Sequence, residues 1–328
     1  MILILSTSQR ETTTEKVIDW LEASGASFLR LNGEDFCSGN YVQIDFSNRE
    51  FRIRLDKIEV SSRTINVIWN RRLFSDSMID NYLNSSSGDR TERIIKKHLL
   101  SEIKGTFGAF MSIGGDIKWI DHPDKANVRK SDQILFAEKA GLDVPRTLIT
   151  TSREEAYSFI DLCESVITKS INNGEFFAFQ TTLFAHYTSL VRKKDLLNLS
   201  PYFFPTLFQE LIEKDVEVRV FFLGEKCYSM AIFSQTDNKT KIDFRNYNPD
   251  KPNRFVPYTL PSLIVAKLKC FMKLVGLETG SIDIIKDVKG IYYFLEVNPV
   301  GQFGMVSSPC NYYLEREMAN YLVKCDQL

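Results

Sequence analysis

The stretch that decides the fold runs Gly280-Ser281-Ile282-Asp283-Ile284-Ile285, through Asp287-Val288-Lys289-Gly290, to Ile291-Tyr292-Tyr293-Phe294-Leu295-Glu296-Val297-Asn298-Pro299. It predicts two β-strands joined by a tight turn. A two-residue loop at Lys289-Gly290 sets Asp283 opposite Glu296, and period-2 alternation puts Asn298 on the same face as Glu296. Two carboxylates in otherwise apolar strands repel each other and are costly to desolvate unless a cation or a donor offsets them. A hard divalent cation held partly by substrate phosphates does this, and Mg²⁺ is the usual one. The plainer alternative is the polar face of an edge hairpin.

Upstream, Ser262–Val275 reads as a helix stopped by Gly276, and residues 249–261, with four prolines, read as a loop. Downstream, Gly301–Pro309 is expected as a loop before a final helix at about 311–324. Further back, Glu217-Val218-Arg219-Val220 alternates charged with apolar, so Glu217 and Arg219 share a face. An arginine fork suits a transferring phosphoryl group or an acyl phosphate; an outer-face ion pair is the alternative. Phe208-Gln209-Glu210-Leu211-Ile212 is an extended run whose backbone can pair with a purine edge. Val166-Ile167-Thr168-Lys169 is an apolar strand closed by a lysine, a common point-charge phosphate binder or else simply a solvated strand end.

The N-terminal third reads β-α-β: a buried strand at 1–5, an amphipathic helix at 12–24, and a strand at Ser27–Leu31. A hairpin at Tyr41–Phe46 and Phe51–Leu55, a strand at Ile65–Trp69, a loop at Asn84–Gly88 and a long helix from Thr91 to about Phe110 follow. Gly114-Gly115 marks a composition change. Beyond it, Lys125–Ala140 and Ser152–Leu162 read as helices, and residues 172–192 as a hairpin. The chain has 328 residues, 41 basic and 42 acidic, so it carries no strong field for nucleic acid or an anionic membrane. No apolar run reaches transmembrane length. Six scattered cysteines without a C-x-x-C pair predict reduced thiols in a cytoplasmic protein. Three histidines without metal spacing argue against zinc, and no G-x-S-x-G elbow is present.

The order of these pieces says more than any one of them: strand lysine, apolar hinge with Glu, E-x-R strand, carboxylate strand, E-x-N strand. This order resembles the ATP-grasp superfamily, whose members activate a carboxylate as an acyl phosphate. Asn127 to Lys130, Gln133, Ala137, Gly141-Leu142 and Val144-Pro145-Arg146-Thr147 are similar to the N-x-x-K…Q…A…G-L-x-V-P-x-T segment of the ribosomal-protein glutamate ligase branch. Arg30-Leu31-Asn32, Trp69-Asn70-Arg71-Arg72, Phe208-Gln209-Glu210, Glu217-Val218-Arg219, Ser234-Gln235 and Asp243-Phe244-Arg245 resemble the microviridin-type, or grasp-with-spasm, peptide maturases. These make ω-ester or ω-amide rings in ribosomal peptides.

The resemblance implies an α/β protein of ATP-grasp fold. It divides into a pre-ATP-grasp α/β domain (1–115), a central subdomain (116–205) and a C-terminal subdomain with the metal site (206–328). It implies ATP and Mg²⁺ as cofactors, a precursor peptide of leader plus core as partner, and a homodimer. Lys130 and Lys169 would meet phosphates. Gln209, Glu210, Leu211 and Ile212 would line the adenine hinge, and Glu217 would meet the ribose. Arg219 would stabilise the transferring phosphoryl group, and Arg245 would bind the substrate carboxylate. Asp283, Glu296 and Asn298 would hold Mg²⁺, and residues 172–192 would dock a leader. Two other functions use the same residues: a ligase adding a free amino acid to a carboxylate, and a nucleotide-regulated binding protein.

Overall fold

The computed structural model describes residues 1–327 other than 9–10, 38–40, 56, 74–89, 173–175, 180–181, 186–187, 236, 238–239, 241, 245 and 247. The expected loop at Asn84–Gly88, the candidate Arg245 and parts of 172–192 lie outside the described residues.

The chain divides into two compact units. In the first, β1 (Ile2–Ser6) is wholly buried, as a continuous apolar strand inside a parallel sheet must be. α1 (Thr12–Ala23) turns Val17 and Leu21 inward. β2 (Phe28–Asn32) follows, then a meander of β3 (Tyr41–Asp45), β4 (Glu50–Leu55) and β5 (Ile58–Ser61). β6 (Val67–Asn70), the long α2 (Arg90–Ile113) and β7 (Lys118–Ile120) complete a parallel sheet ordered β2-β1-β6-β7. Leu3, Leu5, Leu31, Phe51, Ile68, Phe110 and Trp119 form its core.

In the second unit, the helix expected at Lys125–Ala140 is two: α3 (Pro123–Ala126) and α4 (Lys130–Lys139). Arg129 is extended at the break, and the Val128 carbonyl accepts from the Gln133 side chain. β8 (Thr147–Ser152), α5 (Arg153–Leu162), β9 (Val166–Lys169), the hairpin β10 (Phe176–Phe179) and β11 (Thr182–Ala185), β12 (Ser189–Val191), α6 (Lys193–Leu196) and β13 (Tyr202–Glu210) come next. Four of these strands form an antiparallel sheet, β12-β9-β13-β8. One of its faces buries Val166 and Phe208 with Ala156, Cys163 and Leu196.

β14 (Lys214–Leu223), β15 (Lys226–Phe233), β16 (Arg254–Tyr258), α7 (Ser262–Val275), β17 (Thr279–Asp287) and β18 (Tyr292–Asn298) supply a second antiparallel sheet, ordered β16-β15-β14-β17-β18. Val216, Val218, Val220, Phe222, Ile282, Ile284 and Val297 line one face and pack on Leu268, Phe271 and Met272 of α7. Gly276, at φ +74, ends that helix in the left-handed conformation glycine adopts at little cost. Two expectations fail here. The four-proline stretch contains β16, an edge strand on which Pro257 is tolerated. Gly301–Pro309 is largely the short helix α8 (Gly304–Cys310). The last helix, α9 (Leu314–Asp326), packs on α1 and belongs to the first unit. A linear reading groups it with its sequence neighbours, because chain return leaves no local signal.

Candidate functional site

The deciding hairpin pairs Asp283 with Glu296 and Ser281 with Asn298. Paired residues in an antiparallel ladder share a face, so all four side chains lie on the face opposite the α7 core. The route differs from the expected one. The loop has three residues, Val288-Lys289-Gly290, with Lys286 opposite Tyr292 and Gly290 at φ +89. The Asp287 carboxylate accepts from the Lys289 and Ile291 N–H groups at 2.9 and 2.7 Å, which holds the turn. A bulge at Leu295 then restores the register: Ile284 faces Phe294, whereas Asp283 faces Glu296. The extra residue lets Phe294 and Val297 both reach the core while Glu296 and Asn298 turn to the site.

Arg219 on β14 stands opposite Asp283 and therefore shares the face. Its Nη1 donates to both Asp283 oxygens, at 3.1 and 3.4 Å. Its Nε is buried without a hydrogen-bond partner among the described residues, a polar group that calls for an explanation in a native fold. Lys130, in the first turn of α4, places Nζ 2.9 Å from Glu296 Oε2. The Asn298 amide donates to Glu296 Oε1 at 3.4 Å. Five of the expected residues thus converge: Lys130, Arg219, Asp283, Glu296 and Asn298. Glu217 lies one step along the same face of β14, and its Oε1 accepts from Ser234 Oγ at 2.6 Å and from Lys214 Nζ. Lys214 also reaches the Ile242 carbonyl at 3.4 Å. On the same face, burial pushes the Tyr293 phenol up, with Asp287, Glu210 and Asp143 adding to the shift.

Lys169 and Gln209 sit on the other sheet. Lys169 pairs with Leu207 and Gln209 with Ile167, so both point away from the Phe208 core. Gln209 is buried and donates to Thr147 Oγ1 at 2.8 Å, which makes it a brace of its own sheet. Glu210 closes β13, and Leu211 to Glu213 are the link to β14, so the expected hinge is the connector between the two sheets. The N–H groups of Glu210 and Leu211 donate to the Arg146 and Ser165 carbonyls, both at 2.9 Å. Arg245 is outside the described residues.

After Asn298 the chain turns back at once, the Gly301 N–H donating to the Asn298 carbonyl at 3.0 Å. A Cβ on Gly301 would stand 2.4 Å from Ser281 Oγ and 2.8 Å from the Asn298 oxygen, so only glycine fits. Ser281 Oγ is itself buried without a partner among the described residues. Phe303 packs its ring at a tilt against Phe221, centroids 4.4 Å apart.

Among the described residues, no three His, Cys, Asp or Glu side chains cluster to hold a metal. The set here is two carboxylates and one amide, all oxygen donors beside two cationic side chains. It is too small for a protein-only cage and fits a cation that takes further ligands from phosphate and water. The sequence reading singled out Ser234 within the Ser234-Gln235 motif without a role, and missed Lys214 and Ser281 as members of this face. Of the two, Lys214, a lysine at the start of an apolar strand, leaves a visible signal.

Residues 1–127 match the family described as the MvdD pre-ATP grasp domain. No curated protein matches the sequence. Among solved structures, a Chryseobacterium gregarium RiPP-associated ATP-grasp ligase, in complex with ADP and a leader and core peptide, superposes with a TM-score of 0.84 at 24% identity, over 100% of this chain and 97% of that one. The macrocyclase MdnC of Microcystis aeruginosa MRC, bound with precursor peptide MdnA, gives 0.82 at 25% identity, over 99% and 100%. The ATP-grasp ligase PsnB, complexed with minimal precursor, Mg and ADP, gives 0.78 at 19%, over 99% and 97%. The chain has the ATP-grasp fold, with a pre-ATP-grasp domain at its N-terminal end. No helix among the described residues is long and apolar enough to cross a membrane.

Proposed function

We propose that this chain is an ATP-dependent, cytoplasmic peptide ligase that closes rings within a ribosomally made precursor. It joins Asp or Glu side chains to Ser, Thr or Lys side chains as ω-esters or ω-amides. One observation carries the reading: Asp283, Glu296 and Asn298 share a face with Arg219 and Lys130, beside a short link to a sheet bearing Lys169. The comparisons support it, since similar chains were solved with ADP, Mg and precursor peptides.

Asp283, Glu296 and Asn298 would hold Mg²⁺, which when bound neutralises phosphate charge. Lys130 and Lys169 would bind the phosphates as point charges. Gln209 to Ile212 would place the adenine. Glu217, held by Ser234 and Lys214 through one oxygen, keeps Oε2 for the ribose hydroxyls. A precursor carboxylate oxygen attacks the γ-phosphorus, and the bond to the departing ADP breaks. Arg219 offsets the charge that spreads over the transferring group. A precursor hydroxyl or amine then attacks the acyl carbon, inorganic phosphate leaves with the electron pair of the C–O bond, and the nucleophile's proton passes to that departing phosphate. Arg245 would bind the precursor carboxylate, and residues 172–192 would dock the leader.

The test is mass spectrometry of a cognate precursor co-expressed with this chain and with its Glu296→Gln variant. Loss of one water per ring, with the intact chain alone, is expected. A mass gain that depends on added free amino acid assigns the chain to amino-acid ligation instead. An unchanged mass in the presence of ATP turnover and bound peptide overturns ring closure.

A further inference from the structure

We infer that Gln133 is a positioning residue for the metal-holding strand, acting through Glu296 and Asn298 on its two sides. The inference rests on the nucleotide and Mg²⁺ reading above. β18 is the last strand of its sheet: β17 pairs along one side, and on the other Asp143 meets it at a single bridge, the Phe294 N–H donating to the Asp143 carbonyl at 2.8 Å. An edge exposes backbone groups that are free to flex or to pair wrongly. At Val297 both groups are taken by one side chain. The Val297 N–H donates to Gln133 Oε1 at 2.8 Å, and Gln133 Nε2 donates to the Val297 carbonyl at 3.1 Å. The same nitrogen donates to the Val128 carbonyl at 3.2 Å.

Two donors and one acceptor are thus all engaged, in a side chain only 3% exposed. The opposite amide orientation would aim an oxygen at two carbonyls, so this network admits one arrangement. Gln133 supplies at one residue what a further strand would supply along a whole edge.

Val297 points into the core, and its neighbours Glu296 and Asn298 point into the site. Fixing the backbone between them fixes both ligand side chains. Lys130, three residues before Gln133 on α4, reaches Glu296 directly at 2.9 Å. Ala137, four residues after it, is wholly buried in the sheet core and seats the helix. One helix face therefore pins the strand through backbone, side chain and core together. Gln133 makes these bonds to backbone alone, so its effect on the metal must pass through the strand.

The experiment uses the full chain with Gln133→Leu and Gln133→Glu. Leucine keeps the volume and removes every bond. Glutamate keeps the acceptor for the Val297 N–H, loses the donors, and sets a carboxylate against two carbonyls. ADP binding is measured by calorimetry across a Mg²⁺ titration, and amide exchange is followed at Val297. For Gln133→Leu the Mg²⁺ concentration that half-tightens ADP should rise ten- to a hundredfold, the range found when residues supporting metal ligands are changed. ADP affinity without Mg²⁺ should stay within about twofold, as the phosphate and adenine groups are untouched. Exchange at Val297 should accelerate while the central strands keep their protection. Gln133→Glu should move the same way, and it decides the matter if the leucine variant does not fold. An unchanged Mg²⁺ requirement in a folded variant overturns the inference, as does an equal loss of ADP binding with and without Mg²⁺, which marks general damage. Wild-type chain whose ADP binding ignores Mg²⁺ overturns the nucleotide and metal reading itself, an outcome separate from any effect of Gln133.

Discussion

Arg219 shows what single residues disclose. Its alternation with Glu217 is visible in four letters, and the ladder then places it opposite Asp283. That Nη1 takes both Asp283 oxygens while Nε is buried without a partner among the described residues is a matter of side-chain geometry, to which sequence is blind. The fork predicts a sharp substitution profile. Arg219→Lys keeps the charge beside Asp283 but not two directed donors, so turnover should fall about 10²- to 10³-fold while thermal stability changes little. Arg219→Ala should abolish ring formation. ADP release and precursor mass measure both, and full activity in Arg219→Lys sinks the fork's role. A second residue-scale prediction concerns the thiols. Burial pushes the Cys227 thiol up to about 11, whereas Cys270 is exposed. The thiolate is the nucleophile, so at pH 8 an alkylating reagent should label Cys270 long before Cys227. Peptide mapping after a short native exposure tests this, and early labelling of Cys227 refutes the raised thiol.

At the scale of elements, periodicity carried the hairpin and the helix Ser262–Val275 almost to their observed limits. It predicted the right partner for Asp283 from a loop one residue too short, because the Leu295 bulge cancels the difference. Bulges leave no period-2 trace, so no reading of alternation alone could have separated the two routes. β5, β7 and β8 escaped for a related reason: they are short or partly exposed, and their patterns are weak. The turn after β18 was expected as loose chain and is among the tightest contacts of the site. A methyl group at Gly301 meets Ser281 Cβ at 2.5 Å as well as Oγ, so rotating the serine gives no relief. Gly301→Ala should destabilise the chain by about 1–3 kcal/mol, the usual cost of overpacking. Ser281→Ala should not rescue it, because the Asn298 carbonyl, at 2.8 Å, is backbone and remains. Urea denaturation of the single and double variants measures this. A stable Gly301→Ala shows that the turn can yield.

For the molecule as a whole, the last helix decides how the chain is divided. Sequence order places α9 beside the metal-type hairpin, but it completes the first unit. Its apolar residues Leu314, Met318 and Leu322 are buried, and α1 is its main contact. The Asn66 side chain adds hydrogen bonds to the Asp326 carbonyl and carboxylate at 2.9 and 3.0 Å. Burying three such side chains contributes roughly 5 to 9 kcal/mol, comparable to the whole stability of an ordinary domain. Truncation after residue 313 should therefore unfold the first unit and spare the second, whose two sheets have their own cores. In limited proteolysis the truncated chain should be cut rapidly within residues 1–123, while a fragment within 124–312 persists. Leu322→Asp should shift the same cleavage pattern without shortening the chain, which separates lost packing from lost length. Equal resistance of the full and truncated chains across residues 1–123 would show that the parallel sheet folds without its C-terminal helix. It would also restore the division of the chain that sequence order suggests.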